Sequence, residues 1–127
     1  MRVDIERQRP AQPEPAAQGY LVYSTCRDEE EARRIGRTVV ERRLAACANI
    51  LGGVTSYYWW QGRLQEDSEA LLLLKTTAQA VEPLMQAIRE LHSYTVPAIS
   101  AVPLHALNPA YLQWMQEEVR VAGGDGR

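Results

Sequence analysis

Two histidines, His92 and His105, and two cysteines, Cys26 and Cys47, are the nitrogen and sulfur donors available for metal chemistry in this 127-residue chain. A firm Cu(II) or Zn(II) site wants three or four N, S or O ligands. No HxxH, HExxH or CxxC spacing supplies them locally. Carboxylates, His105 or a second chain would have to be brought in by folding, so a shared, weak and modestly selective site is expected. His92 falls at the end of a helical pattern, where an imidazole either complements the helix dipole or acts as a ligand. The other reactive types lie in one stretch. Lys75 closes an apolar strand and either snorkels to solvent or points into a cleft to bind an anion. Asp67 and Glu69 stand two apart, hence on one strand face, and can pair with Lys75 or Arg63. Tyr94 and Pro97 read as turn and packing residues that frame the same cleft. No GxSxG, P-loop or dinucleotide fingerprint occurs, so no enzyme is expected.

The elements that must position these residues follow from periodicity. Residues 20–26, YLVYSTC, read as a strand. Residues 27–45 read as a helix: Asp28 and Glu31 make a capping-box-like start, and Ala32, Ile35, Gly36, Val39, Val40 and Leu44 form one apolar face. Residues 45–60 read as a long strand with a bulge or bend at Gly52–Gly53. Gln61–Gly62 is a tight hairpin turn. The returning strand is polar to Glu69 and continuously apolar from Ala70 to Leu74. That second half is expected to be central and buried on both faces, and the first half to project as an arm. A helix over 79–92, with Pro83 in its first turn, precedes a proline-interrupted edge strand over 94–104. Asn108–Pro109 starts a last helix.

The order β-α-β-β-α-β plus a final helix is that of a ferredoxin-like α+β sandwich. Its two crossover helices cover one face of a four-stranded sheet. Yet Tyr57, Tyr58, Trp59 and Trp60 stand in an unbroken row, so aromatic rings alternate onto both faces of one strand. The second face therefore calls for another copy of the chain, with these four residues as interface anchors.

Composition narrows the partners. A formal net charge of −2 gives no electrostatic case for nucleic acid or an acidic membrane. The fold also hosts RNA-binding modules, but those need aromatics on the first and third strands in basic surroundings. The longest apolar run, ALLLL at 70–74, is too short to span a bilayer. The N-terminus lacks the apolar stretch of a signal peptide, and the cysteines read as small hydrophobes in a reducing compartment, so a cytoplasmic protein is expected. Residues 1–18, with three prolines, read as a flexible tail, 19–121 as the domain and 122–127 as a frayed end.

The segments ERRLAACANI, GVTSYYWWQGRLQEDSE, LLLLKT, HSYTVP and YLQW together resemble the CutA family, the divalent-cation tolerance proteins, over about residues 20–118. The resemblance implies a ferredoxin-like protomer in an interlocked homotrimer, similar in plan to the PII signalling proteins, a cytosolic location, and a role in tolerance to copper and other divalent metals. It implies metal ligands at three positions, here Ser24, Leu91 and His92, so only His92 of the three is retained. Cys26, on the strand face of Ser24, then offers a displaced thiolate. The family's HPYxVPE reads HSYTVPA here: Ser93 stands for the proline and Ala98 for the last carboxylate. The expectation is a trimer that binds Cu(II) or another divalent cation weakly. A PII-like scaffold with a small anion or nucleotide in the inter-protomer cleft, and a structural tether for other proteins, are the alternatives.

Overall fold

The computed structural model describes residues 16–121. Its elements are β1 (Gly19–Cys26), α1 (Glu29–Glu41), β2 (Cys47–Trp60), β3 (Arg63–Thr77), α2 (Val81–Leu91), β4 (Ile99–Leu104) and α3 (Pro109–Glu118). They form one antiparallel sheet in the order β2-β3-β1-β4, the expected ferredoxin-like arrangement. The expected tail lies outside the described residues except for 16–18, as does the expected frayed end at 122–127.

Asp28 caps α1 by accepting from the Glu31 amide at 2.9 Å. The helix stops earlier than its apolar pattern suggests. Arg43, at φ 65°, turns the chain left-handed, and Arg43 and Leu44 donate to Val40 and Val39. Ala32, Ile35 and Val39 of α1 and Leu84, Ala87 and Ile88 of α2 pack on Val22, Cys26, Leu72 and Leu74. Gly36 lets the helix approach the sheet, because a Cβ there would lie 3.0 Å from Leu72 Cδ1 and 3.1 Å from the Ala48 methyl.

The β2–β3 pairing shifts register between Leu51 and Val54, so the bulge falls at the glycine pair, with Gly53 at φ 73°. Gln61 and Gly62 take positive φ in the hairpin turn. Two expectations need correction. Residues 94–98 are not strand; β4 begins at Ile99 and leaves Pro97 in the preceding loop. Residues 70–74 are central but not buried on both faces. Ala70, Leu72 and Leu74 are covered by the helices, whereas Leu71 and Leu73 are only half-buried. Among the described residues, no helix pair covers that second face; α3 alone reaches its end, where Tyr111 meets Cys47 and Lys75. The aromatic row is open as well, with Trp59 72% and Trp60 49% exposed.

Candidate functional site

The C-terminal end of β1, the first turn of α1 and the C-terminus of α2 meet at one place. There the Cys26 thiol, the Glu31 carboxylate and the His92 imidazole bring one ligand atom each to within 4.8 Å of one another. Cys26 reaches it as the last inward residue of β1, opposite Ala70. His92 reaches it as the residue that ends α2 in extended conformation.

Glu31 organises the cluster, although its place in the sequence marks it only as part of a helix cap. It is 0% exposed. Its Oε1 accepts from the Arg27 amide at 2.9 Å and its Oε2 from the Ser93 amide at 2.8 Å. Arg34 Nη2 lies 3.5 Å from Oε2. Burial alone would raise the Glu31 pKa, but the hydrogen bonds from Ser93 and Arg27 outweigh it and hold the pKa below the ordinary carboxylate value.

His92 is 9% exposed and uses both ring nitrogens. The Tyr94 amide donates to Nδ1 at 3.1 Å, so the proton sits on Nε2, which donates to the Thr25 carbonyl at 2.9 Å. The rings of His92 and Tyr94 stack obliquely, 4.7 Å between centroids. The Cys26 thiol is held protonated: burial first, then the Glu31 and Glu69 carboxylates, push its pKa up to about 12. Sulfur, oxygen and nitrogen donors suit Zn(II) or Cu(II) in type. Each is already engaged or protonated, so a cation entering here has to take the thiol proton and one imidazole hydrogen bond.

The other expected cleft residues separate into two groups. Glu69, 8% exposed, accepts from the Tyr94 hydroxyl at 2.7 Å, and Asp67 accepts from the Tyr58 hydroxyl. Burial, then Glu69, raises the Tyr94 pKa, and the bond to Asp67 raises that of Tyr58. Neither carboxylate forms an ion pair with a described residue, Arg63 and Lys75 included. Beside them Tyr57, Tyr58, Trp60, Tyr94, Val96 and Ala98 line a cleft of about 600 Å³ between the arm and the segment after α2. Pro97 is half-buried next to it. Lys75 lies six residues along β3 from Glu69, roughly 20 Å at strand rise. Its Nζ stands 3.7 Å from Cys47 Sγ and 5.8 Å from the centre of the Tyr111 ring. Cys47 Sγ lies 3.5 Å from the Tyr111 hydroxyl, and burial, then Cys47, raises that phenol to about 12. The structure therefore takes Lys75 away from the carboxylates and the aromatic cleft.

A family model described as CutA1 divalent ion tolerance protein matches residues 20–118. The chain is similar to the Divalent-cation tolerance protein CutA of Thermus thermophilus, 50% identical over 97 residues, covering 76% of this chain and 94% of that protein. It superposes on CutA of Xylella fastidiosa with a TM-score of 0.79 and 38% identity, over 82% of this chain and 100% of that one. It is also similar to a protein of Archaeoglobus fulgidus described as a periplasmic divalent cation tolerance protein CutA, with a TM-score of 0.77 and 32% identity, over 80% of this chain and 99% of that one.

Proposed function

This chain belongs to the CutA1 divalent ion tolerance family, and on that premise we propose that it is a non-catalytic, homotrimeric protein of the cytosol that binds Cu(II) or a similar divalent cation weakly. The observation that carries the metal reading is the convergence of Cys26, Glu31 and His92 within 4.8 Å. Weak binding follows from the state of those donors. The thiol must lose its proton, and His92 must give up the Thr25 or the Tyr94 bond before a ring nitrogen is free.

The trimer reading rests on the uncovered sheet face and the arm. Leu71 and Leu73 of β3 and Tyr23 of β1 occupy the face away from α1 and α2, and the four arm aromatics stand open beside them. An exposed apolar surface of this kind marks an interaction site. Cys26 and Cys47 are free thiols, in keeping with a reducing compartment.

The test is a Cu(II) titration against a calibrated competing chelator at neutral pH, on the native protein and on His92→Ala. Saturable binding at one metal per chain, weakened in the variant, supports the site. Stoichiometric binding indifferent to His92, or no binding in competition with a weak chelator, overturns it. Mass measurement in solution at micromolar concentration tests the trimer, and a monomer would refute it.

A further inference from the structure

We infer that Arg34 is the resident counter-ion of the Cys26–Glu31–His92 cluster and the residue that sets its affinity for divalent cations: a metal ion enters only as the guanidinium leaves. The inference rests on the proposed metal site and adds the group that regulates it. Glu31 is a charged side chain with 0% exposure, and such a carboxylate needs compensation on the spot. The Arg27 amide donates to Oε1 at 2.9 Å and the Ser93 amide to Oε2 at 2.8 Å, and Arg34 Nη2 lies 3.5 Å from Oε2. The two amides are dipoles fixed by the fold. Among the described residues, Arg34 alone pairs a full positive charge with Glu31. The neighbouring arginines of α1 are turned elsewhere, Arg33 to Glu29 at 3.2 Å and Arg37 to Glu41 at 3.0 Å.

Arg34 is also the movable member of the set. Its side chain is 49% exposed, and a guanidinium half in water can swing out on its flexible stem. Nη2 donates to the Leu91 carbonyl at 3.0 Å, among the last carbonyls of α2, which lack helical partners. The same guanidinium therefore neutralises Glu31 and meets the negative end of α2, where His92 caps the helix. A metal ion held by Glu31 and His92 would serve both roles. The two cations cannot share the place. A dication on Oε2 would stand beside Nη2 with little water between them to screen the repulsion. Metal binding here is thus an exchange of one cation for another.

A merely structural role for Arg34 would have the opposite consequence. If its bonds only tied α1 to the end of α2, removing them would loosen the segment that carries His92 and weaken any metal bound there. Removing a counter-ion strengthens metal binding, even though the metal-free fold loses a hydrogen bond and an ion pair. Stability and affinity then move in opposite directions.

The experiment measures Zn(II) affinity by competition with a calibrated chelator, on the full chain in its native assembly under reducing conditions. The variants are Arg34→Gln, Arg34→Lys and Arg33→Gln, with folding checked by circular dichroism and thermal melting. Arg34→Gln should bind Zn(II) about tenfold or more tightly than the native protein, while its metal-free melting temperature falls. Arg34→Lys should stay near the native affinity, and so should Arg33→Gln, which changes the net charge equally. Cys26→Ser in the Arg34→Gln background should remove the gain, which places it at the cluster. If Arg34→Gln does not fold, Arg34→Met, which keeps an apolar stem, is measured in its place. Affinity in Arg34→Gln equal to or below the native value would overturn the inference and leave the metal site standing. An equal gain in Arg33→Gln would overturn it too, because the overall charge of the protein would then be the cause. Absence of Zn(II) binding to both the native protein and Arg34→Gln would overturn the metal site and the inference together.

Discussion

The amide of Ser93 donates to the Glu31 carboxylate at 2.8 Å, tying the loop after α2 to the first turn of α1 across 62 residues of chain. With the Arg27 amide on the other oxygen, Glu31 serves two backbone donors at once. Glutamine keeps only one acceptor oxygen and turns an amide N–H toward the second donor. Glu31→Gln should therefore lose about 1–3 kcal/mol, the usual cost of leaving a buried group unsatisfied. Denaturant unfolding at fixed protein concentration measures it, and an unchanged midpoint would show that the loop is held by other contacts.

The same carboxylate sets an acid limit. Its folded pKa lies below its ordinary value of 4.5, because hydrogen bonds outweigh the effect of burial. A depressed folded pKa contributes stability that is complete above about 4.5 and is lost as pH falls through the folded value. The melting temperature should accordingly drop as pH is lowered from about 5, and drop less steeply in Glu31→Gln. Parallel pH profiles for the two proteins would remove Glu31 as the source.

The fold was legible because its signals are local. Asp28 announced α1, Asn108–Pro109 announced α3, and the glycine pair announced the bulge. The site was legible only in part. Glu31 has the sequence signature of a cap, and nothing local indicates that its second oxygen reaches Ser93. Strand parity correctly puts Glu69 and Lys75 on one face, since they are six apart, but parity carries no distance. The rise along β3 sends Lys75 to Cys47 and Tyr111 and leaves Glu69 with Tyr94. Partners for His92 were equally hidden, because they are backbone groups placed by the extended turn after α2.

Gly36 is a packing requirement of the helix–sheet layer. A methyl already meets Leu72 and Ala48 at about the limit of contact. Valine adds two further carbons against a central strand and stiffens χ1 in a helix. Gly36→Val should cost about 1–3 kcal/mol by overpacking, which for a domain of this size is a fall of several degrees in melting temperature. A melting temperature equal to that of the native protein would mean that α1 can lift from the sheet without penalty.

Metal binding at the Cys26–Glu31–His92 cluster should release a proton. The thiol pKa of about 12 keeps Cys26 protonated throughout the neutral range, and the thiolate is the ligand form. Apparent affinity should then rise about tenfold per pH unit between pH 6 and 8, one proton for each metal bound. Cys26→Ser should flatten that slope. Competition titrations at three pH values provide the measurement, and a pH-independent affinity in the native protein would place the metal elsewhere.

Trp59 separates the stability of the protomer from that of the assembly. It is 72% exposed within one chain and sits directly opposite Leu64 near the tip of the arm. A side chain so exposed contributes little to the protomer's own folding, so Trp59→Ala should leave the far-ultraviolet spectrum of the protomer unchanged. If the arm seats against a second copy, the same ring becomes a buried anchor, and truncating such an aromatic costs 2 kcal/mol or more of binding, roughly thirtyfold in dissociation constant for each contact. In a closed trimer the change is made at three symmetric contacts. Dilution of the variant should therefore produce protomers at concentrations where the native protein stays assembled. Light scattering across a dilution series distinguishes the outcomes, and identical assembly curves would remove the arm aromatics from the interface.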